Sequence, residues 1–312
     1  MTPSGQQHEI ASGRYRAVVV EGGGGLREAS ADGRPLLDPY AASDLADGAR
    51  GQVLAPWPNR IRDGRWTWQG KELQLPLSEP AKHNASHGLV RWAAWTLLER
   101  TVDRVVLAHR LMPQSGYPFH LELTVDYRVS DDAGLQVVLT ATNAGDAPAP
   151  VALGMHPYVA PPAGDTVDGC VLQAPGATRV LVDDRSLPVG REPVDGTPYD
   201  FRSPTTIGDL VVDVAYTDLG GTQTRLSAGG RTHVLESDAP WLQLFTGDTL
   251  APDRRRQGLA VEPLTAPVEA FNTGEADVVE PGASLVLRWS LRAEQDQDQA
   301  GPGQDQADPG QD

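Results

Sequence analysis

The amino-acid sequence predicts an all-β fold made of antiparallel strands with few short helices. Short apolar runs recur along the chain, and some alternate between apolar and polar residues, which is the pattern of half-buried strands. Glycine and proline are abundant, with 33 and 26 residues, and this composition is typical of chains with many turns. In contrast, no convincing amphipathic helix longer than about two turns is present.

The clearest strand lies between residues 119 and 130. Every second residue of its sequence, FHLELTVDYRVS, is apolar, so one face of the strand is buried and the other faces water. Residues 135–143 follow a turn at residues 131–134 and form its natural hairpin partner. Further strands are predicted at residues 14–21, 104–111, 171–174, 178–182, 232–236, 241–245 and 284–292.

Two segments near the N-terminus are predicted to lack regular structure. Residues 1–12 are polar and are expected to be frayed. The four glycines at residues 22–25 are expected to form a tight turn or bulge between strands. A phosphate-binding loop is excluded there because neither Gly-Lys-Ser nor Gly-Lys-Thr follows the glycines.

Length and composition predict one domain followed by a tail. A chain of 312 residues is compatible with a single large β unit, since sandwiches and barrels often exceed about 200 residues as one domain. From Glu294 the sequence reads EQDQDQAGPGQDQADPGQD, which contains no large apolar residue and cannot bury enough surface to fold. We therefore predict a single domain over residues 1–293 and a disordered acidic tail over residues 294–312.

The net charge of −16 limits the kinds of partner. It argues against nucleic acid and against an anionic membrane, because both are bound mainly through a surplus of Lys and Arg. The negative net charge does not argue against small neutral ligands. The single cysteine, Cys170, excludes an intramolecular disulfide and a Cys-rich metal site, which fits a reducing compartment. No signal peptide and no run of about 18 apolar residues is found, so we expect a cytoplasmic protein. The expected assembly is a monomer or a weak homodimer.

A carboxylate, Glu262, directly follows the small apolar run at residues 258–261 (GLAV). The run predicts a buried strand that ends at Glu262, and Pro263 and Pro267 exclude a helix on either side. Such a glutamate is solvated at the rim of the sheet, paired, or functional. Residues 258–262 alone favour a structural role for Glu262, so a functional role has to be argued from other residues that could act with it. Glu269 is interpreted as an ordinary loop carboxylate.

Four other polar residues occur in settings that suggest ligand binding. Asn59 and Arg60 follow the extended segment Pro56-Trp57-Pro58, and their planar donors suit the recognition of hydroxyl groups, although Arg60 could equally be a surface cation. Asp213 and Gln243 each interrupt an apolar run. A polar side chain in such a run needs a partner or a ligand.

Three histidines are candidates for chemistry. His83 and His87 are four residues apart, a spacing that binds zinc when it lies on a helix. Gly88 and the polar residues between the two histidines favour a loop, so no metal site is predicted. His156, in GMHPYV, is either a hydrogen-bonded structural residue or a proton donor, since histidine is the commonest side chain in proton transfer.

Five separated motifs occur together in one order. They are Asn59-Arg60-Ile61, His87-Gly88, Gly154-Met155-His156-Pro157-Tyr158, Gln243 within LQLFTGD, and Glu262-Pro263 with Ala270-Phe271-Asn272. In this set the sequence resembles the aldose 1-epimerase (galactose mutarotase) family, over about residues 14–292. The resemblance implies a large antiparallel β-supersandwich with a sugar site in an open cleft across one curved sheet.

The same resemblance implies a reaction and a set of roles. The α and β anomers of a free hexose would interconvert by ring opening and reclosure, with Glu262 as the base and His156 as the acid. No metal and no cofactor would be required. The sugar hydroxyls would be bound by Asn59, Arg60, His87, Asp213 and Gln243, with His87 also able to assist at the ring oxygen. Asp209 or Asp218 could replace Asp213 as the family's aspartate.

Two alternatives remain open at this point. A hexose-6-phosphate 1-epimerase would use Arg254-Arg255-Arg256 for phosphate contacts, against the simpler interpretation that these arginines form a solvated loop. A non-catalytic carbohydrate-binding or sensor domain would keep the hydroxyl-binding residues but would not need both His156 and Glu262. The presence of both residues favours catalysis.

Overall fold

A computed structural model of the chain describes residues 2–295, which are built mainly of β-strands. In chain order the strands are β1 Gln7–Ser12, β2 Tyr15–Val20, β3 Leu26–Ala31, β4 Arg34–Pro35, β5 Val53–Leu54, β6 Arg60–Arg62, β7 Arg65–Trp68, β8 Lys71–Gln74, β9 Asn84–Ser86, β10 Thr96–Arg100, β11 Arg104–Leu111, β12 Leu121–Ser130, β13 Gly134–Asn143, β14 Ala149–Val151, β15 Gly154–Met155, β16 Tyr158–Val159, β17 Val171–Gln173, β18 Gly176–Val182, β19 Pro188–Pro193, β20 Thr205–Thr206, β21 Asp213–Leu219, β22 Gln223–Ala228, β23 Arg231–Ser237, β24 Trp241–Phe245, β25 Leu259–Leu264, β26 Asp277–Val279 and β27 Ser284–Gln295.

Helices are few and short, as predicted. The 3-10 turns are Asp47–Ala49, Pro80–Lys82 and Val167–Gly169, and α1 is Ala270–Thr273. None of the helices within residues 2–295 has the length and apolar character that crossing a membrane requires. The all-β prediction is confirmed.

Two large antiparallel sheets dominate the architecture. One has nine strands in the order β10-β11-β12-β13-β27-β23-β22-β17-β20. The other has eight strands in the order β19-β18-β21-β24-β25-β15-β5, with β16 also paired to β25. A four-stranded sheet, β1-β2-β3-β4, packs against the first, and the pairs β6-β9, β7-β8 and β14-β26 complete the fold.

A continuous hydrophobic core joins the two large sheets. In β12, Leu123, Val125 and Tyr127 are buried, while the residues between them are only partly covered, which matches the predicted alternation. Leu244 and Val261 of the eight-stranded sheet belong to the same cluster of buried side chains. Because the core occupies one face of the eight-stranded sheet, its other face is available for a ligand.

The N-terminal prediction is wrong. Residues 7–12 are not frayed but form β1, which pairs antiparallel with β2 from Gln7 opposite Val20 to Ser12 opposite Tyr15. The physical reason is that His8 and Ile10, two residues apart, point to the same face of the strand, and both side chains are buried when the strand is added to the sheet. The glycines at residues 22–25 do lie between two strands, β2 and β3, as predicted.

The end of the folded region also differs from the prediction. Glu294 and Gln295 were assigned to the tail, but both belong to β27. Glu294 is held by Arg225 at 2.6 Å and by Arg292 at 2.9 Å, and Gln295 lies opposite Arg231 in the neighbouring strand. The remainder of the predicted tail lies outside the described residues.

The loop between β5 and β6 contacts the loop that follows β9. The carbonyl oxygen of Ala55 accepts a hydrogen bond from the Leu89 amide at 2.8 Å. Gly88 lies against the same carbonyl with φ +74°, and a Cβ at this position would lie 2.0 Å from the Ala55 oxygen. A glycine is therefore required for the two loops to approach this closely.

We predict that Gly88→Ala destabilises the protein more than Gly70→Ala does. Gly70 has a similar φ, +79°, but a Cβ there would meet no atom within 4 Å. Both variants carry the cost of a left-handed alanine, about 1–2 kcal/mol. Gly88→Ala adds an overpacking penalty of about 1–3 kcal/mol. Urea unfolding of the two variants measures the difference, and equal midpoints would contradict the close approach.

Candidate active site

A cleft of about 430 Å³ opens on the face of the eight-stranded sheet that is turned away from the core. All seven residues predicted from the sequence line it: Asn59, Arg60, His87, His156, Asp213, Gln243 and Glu262. The other lining residues are Gly48, Ser78, Glu79, Ala81, Lys82, Ser86, Arg91, Tyr158, Phe245, Thr249 and Leu250. Residues more than 200 positions apart in the sequence, such as Asn59 and Glu262, therefore contribute to one site.

The floor of the cleft is set by the register of β21, β24 and β25. Gln243 in β24 lies directly opposite Glu262 in β25 and opposite Ala215 in β21. Asp213 is two residues from Ala215 and so lies on the same face of the sheet. The residues next to these positions along each strand, Val214, Leu244 and Val261, belong to the hydrophobic core. Three polar side chains on adjacent strands thus face the ligand.

The prediction that Glu262 follows the end of a strand is wrong. β25 runs from Leu259 to Leu264, so Glu262 is an interior residue of a strand in which every residue is buried. Pro263 is accommodated within the strand, opposite Leu242. An interior position is stiffer than a strand end, because Glu262 is flanked by β24 on one side and by β15 and β16 on the other.

His156 enters the cleft at an interruption of β-pairing. Gly154 in β15 pairs with Leu264, and Tyr158 in β16 pairs with Ala260, so His156 and Pro157 bridge the segment of β25 that carries Glu262. The His156 carbonyl accepts a hydrogen bond from Gly51 at 2.9 Å, and its ring stacks on Tyr158 with centroids 5.0 Å apart. Its Nε2 lies 3.3 Å from Oε1 of Glu262.

Burial shifts the pKa values of this pair in opposite directions. Glu262 and His156 are 3% and 5% exposed. Burial raises the pKa of Glu262 well above its usual value, the Asp213 carboxylate raises it further, and Arg60 opposes both. Burial lowers the pKa of His156 to about 3, and the Arg91 guanidinium adds to that effect. Both shifts favour a protonated carboxyl and a neutral imidazole over the charged pair.

Two hydrogen bonds hold Asn59 and His87 together, one between their backbones and one from the Asn59 backbone to the His87 ring. The His87 amide donates to the Asn59 carbonyl at 2.8 Å, and the Asn59 amide donates to Nδ1 of His87 at 3.2 Å. Because Nδ1 accepts, the ring proton of a neutral His87 is on Nε2. Burial lowers the pKa of His87 well below its usual value, and the neighbouring His156 lowers it further. His87 is thus a neutral hydrogen-bond donor.

A chain of polar contacts connects the floor to the wall. Gln243 donates to Asp213 at 2.7 Å, and its Oε1 accepts from Asn59 at 3.3 Å. Asn59 Oδ1 in turn accepts from Arg60 at 3.3 Å. Arg60 ends the chain with two hydrogen bonds to Glu79, at 2.7 and 3.0 Å. Each side chain is therefore oriented before a ligand arrives.

Glu79 was missed by reasoning from the sequence. It precedes Pro80 in a polar loop, and nothing in that local context distinguishes it from a solvated carboxylate. Arg91, Lys82 and Tyr158 are further cleft residues that the sequence did not assign to the site.

The loop predicted for residues 83–87 is partly a strand. Asn84–Ser86 is β9, paired with β6 so that Ser86 lies opposite Arg60, and His87 follows it with a left-handed φ of 58°. His83 is exposed and bonds Asp63 at 2.8 Å, so the two histidines have different partners. Within residues 2–295 no group of three or more His, Cys, Asp or Glu side chains is placed to hold a metal ion.

Several weaker expectations are also decided by the structure. Asp209 and Asp218, the two alternatives to Asp213, do not line the cleft, whereas Asp213 does. The interpretation of Glu269 as an ordinary loop carboxylate is wrong. Glu269 is only 6% exposed, accepts a hydrogen bond from the Arg62 amide, and accepts another from Asn272 at 3.0 Å.

The three consecutive arginines are used by the fold. Arg254 contacts the Asp38 carboxylate and donates to the Pro39 carbonyl at 2.9 Å. Arg255 donates to the Leu250 carbonyl at 2.9 Å, and Arg256 pairs with Asp168 and Asp248. None of the three lines the cleft.

Comparisons with known proteins agree on one family. The aldose 1-epimerase family model matches residues 6–292. The Escherichia coli (strain K12) protein YihR is 35% identical over 274 residues, covering 87% of each chain, and human galactose mutarotase is 28% identical over 234 residues, covering 68% of this chain and 66% of the human protein. The solved structure of a GalM/aldose epimerase homologue from C. elegans has a TM-score of 0.83 at 20% identity, over 93% of this chain and 99% of that one. The chain belongs to the aldose 1-epimerase family.

Proposed function

We propose that this protein is an isomerase that interconverts the α and β anomers of a free hexose by opening and reclosing the sugar ring. The observation that carries the proposal is the buried contact of 3.3 Å between His156 Nε2 and Glu262 Oε1 on the floor of an open cleft. Relatives named galactose mutarotase and maltose epimerase support a sugar as the substrate.

The reaction needs one base and one acid, and the pair supplies both. The carboxylate of Glu262 takes the proton of the C1 hydroxyl, and His156 gives its proton to the ring oxygen. The C1–ring oxygen bond breaks as the C1 carbonyl forms, which leaves an open-chain aldehyde, protonated Glu262 and neutral His156. Rotation about C1–C2 presents the other face of the aldehyde, and the reverse transfers close the ring with the opposite configuration.

The proton count explains why opposite pKa shifts suit this chemistry. The charged pair and the neutral pair contain the same number of protons and differ only in which group holds one. Ring opening converts the first form into the second, and ring closure converts it back. Burial favours the neutral pair, whereas Arg60 favours the Glu262 carboxylate, so neither form is excluded.

The surrounding residues provide hydrogen bonds of both kinds for sugar hydroxyls. Arg60, Asn59 and the Nε2–H of His87 are donors, and Asp213 is an acceptor at the mouth of the cleft. Their mutual hydrogen bonds hold them in position, which reduces the cost of ordering them when the sugar binds. This arrangement suits a neutral polyhydroxylated ring.

The hexose-6-phosphate alternative loses its original support. It depended on Arg254, Arg255 and Arg256, which do not line the cleft and whose guanidinium groups are engaged by carboxylates and backbone carbonyls. A non-catalytic sugar-binding domain would leave the His156–Glu262 contact without a use. Measurement of activity in variants of that pair distinguishes a non-catalytic domain from the proposed isomerase.

We predict that Glu262→Gln and His156→Asn each slow mutarotation by about 10²–10⁴-fold, the usual contribution of general acid–base catalysis. Neither replacement can exchange a proton, but both retain polar side chains and should still bind sugar. Polarimetry of freshly dissolved α-D-glucose and α-D-galactose, corrected for the spontaneous rate, measures the effect. Glu122→Gln, an exposed carboxylate on the other large sheet, is the matched control. Equal rates in all variants would refute the mechanism.

The pH dependence of kcat/KM tests the pKa shifts. The proposed reaction uses a pair that shares one proton, so a second proton, which would leave both Glu262 and His156 protonated, removes the base and stops catalysis. Burial opposes that second proton, because it lowers the pKa of His156 from the usual 6.5 to about 3. We therefore expect kcat/KM to stay constant as the pH falls through 6.5 and to decline only at clearly lower pH. Circular dichroism at each pH separates this decline from unfolding. An acid limb centred near 6.5 would contradict an imidazole that is kept neutral by burial.

Glu79 is predicted to act by positioning Arg60. Glu79→Gln removes the charge that Arg60 faces and weakens two hydrogen bonds, so we expect KM to rise about 10-fold, in the range of charge-assisted hydrogen bonds, with a smaller change in kcat. Glu72→Gln, whose side chain is 72% exposed, is the control. A Glu79→Gln enzyme with unchanged KM would mean that Arg60 does not need this partner.

A further inference from the structure

The second nitrogen of the His156 ring is not held by a hydrogen bond. Nδ1 is buried, and among residues 2–295 no other residue supplies it with a partner. In sites where a histidine exchanges protons, a hydrogen bond at the second nitrogen usually fixes the orientation of the ring. Because Nε2 lies 3.3 Å from Oε1 of Glu262, a rotation of the ring would break this contact. The orientation of the imidazole therefore depends on other neighbours.

Two aromatic rings pack against the imidazole. Tyr158 lies almost parallel to it, with ring centroids 5.0 Å apart and an angle of 14° between the planes. His87 meets it edge-on, with centroids 5.5 Å apart and an angle of 73°. The terminal torsion of a histidine has only broad preferences of its own. Packing against these two rings therefore sets the plane of the His156 ring.

Tyr158 is itself held on several sides. Its hydroxyl donates to the Gly48 carbonyl at 3.0 Å, and the Phe245 ring meets it at an angle of 74° with centroids 6.3 Å apart. The central carbon of the Arg50 guanidinium lies 4.2 Å from the centre of its ring, which is the geometry of a cation–π contact. Tyr158 lines the cleft but is only 1% exposed, so it offers hardly any surface to a sugar.

Carboxylates hold Arg50 in place beside the Tyr158 ring. Arg50 is 2% exposed, pairs with Asp38, and donates from Nε to Asp47 at 3.1 Å. Asp38 is also bound by Arg254 at 3.3 Å. Charge-assisted hydrogen bonds to a planar guanidinium are strong and directional, so this group of charges keeps the Arg50 side chain in one position.

Residues 50–52 also hold the main chain of His156. The Gly51 amide donates to the His156 carbonyl at 2.9 Å, and the His156 amide donates to the Gln52 carbonyl at 3.2 Å. The same short segment thus fixes the backbone of the histidine and carries the guanidinium that packs on Tyr158.

We propose that Tyr158 is a positioning residue of the reaction. Stacked on His156 and held by Arg50, it keeps Nε2 of the imidazole directed at the place of proton transfer. Ring stacking here performs the task that a hydrogen bond to Nδ1 performs in other sites. Because Tyr158 is almost fully buried, it acts through His156 and not by contact with the sugar. This inference rests on the proposed function of the same site.

The test compares two replacements of Tyr158 with a matched control. Tyr158→Phe keeps the stacked ring and loses only the hydroxyl, whereas Tyr158→Met fills much of the space without a ring. Tyr127→Met is the control, because Tyr127 is also fully buried and donates its hydroxyl to a glycine carbonyl, that of Gly24, at 2.6 Å. Tyr127 belongs to the other large sheet and does not line the cleft. Circular dichroism and urea unfolding establish that each variant is folded.

We expect Tyr158→Met to lower kcat for mutarotation by about 10- to 100-fold with little change in KM, since a displacement of about 1 Å can cost about 100-fold. Tyr158→Phe should keep most of the wild-type kcat, and Tyr127→Met should lose stability but not kcat. An unchanged kcat in Tyr158→Met would overturn the inference. Equal losses in Tyr158→Met and Tyr158→Phe would overturn it too, because the hydroxyl would then be the important group. A raised KM with unchanged kcat would instead make Tyr158 a sugar contact.

Nuclear magnetic resonance of the imidazole provides a readout that does not depend on activity. The nitrogen signals of His156, assigned by their loss in His156→Asn, report whether Nε2 keeps its contact with Glu262. We expect one fixed environment in the wild type and in Tyr158→Phe, and an averaged signal in Tyr158→Met. A wild-type signal in Tyr158→Met would mean that stacking does not position the ring.

Arg50→Lys carries the test if Tyr158→Met does not fold. Lysine keeps the charge but loses the planar group that packs on Tyr158, so kcat should fall and the Nε2 signal should become averaged. Wild-type values of both quantities would overturn the inference.

The outcomes separate this inference from the proposed function. A wild-type protein that interconverts anomers, with kcat insensitive to Tyr158→Met, keeps the isomerase function and loses the positioning role. If the wild type interconverts no anomers, the isomerase function fails, and the nitrogen signals still decide whether Tyr158 orients the His156 ring.

Discussion

The antiparallel register of β21, β24 and β25 is the constraint on which the candidate site depends. Directly opposed residues share a face of the sheet, so Gln243 and Glu262 both face the cleft while Leu244 and Val261 both enter the core. A slip of one residue would exchange these faces, burying polar side chains in the core and exposing apolar ones. The hydrophobic core therefore specifies the position of the carboxylate on the opposite side of the same strand.

Burial then gives the floor of the cleft its chemistry. The strands and loops that cover Glu262 and His156 remove most of the water around them, and this desolvation is the largest cause of both pKa shifts. An unpaired carboxylate would be costly in such a position, and the neutral pair avoids that cost. Desolvation thus favours the uncharged form of each group. Opposite pKa shifts in adjacent groups in a cleft are a feature of acid–base sites.

The walls of the cleft are contributed by loops whose conformations depend on distant contacts. Gly88 fits against Ala55, Glu79 binds Arg60, and the Arg91 carbonyl is held by Gln52. These contacts join segments far apart in the sequence, so the loops around the floor form a rigid frame. Sheet and loops thus contribute different parts of the cleft: the strands carry Asp213, Gln243 and Glu262, and the loops carry His87, Glu79 and Arg91.

The sequence by itself determined the fold class and singled out His156 and Glu262, the two residues that we propose as the catalytic pair. Alternation of apolar residues, as in residues 119–130, predicts strands because the period of two is a local property of the backbone. The motifs around His156 and Glu262 indicated the family because their residue types and order can be compared without coordinates. β1 was missed because its polar composition hides an alternation that matters only when β2 is its neighbour.

Only the tertiary structure decided which charges meet. Glu79 and Arg91 both stand in polar loops whose sequences look solvated, yet Glu79 orients Arg60 and both residues line the cleft. The interior position of Glu262 in β25 was equally invisible, because Pro263 suggests the end of a strand when neighbouring strands are unknown. Electrostatic pairing, burial and pKa depend on distances between residues far apart in the chain, and the fold alone sets those distances.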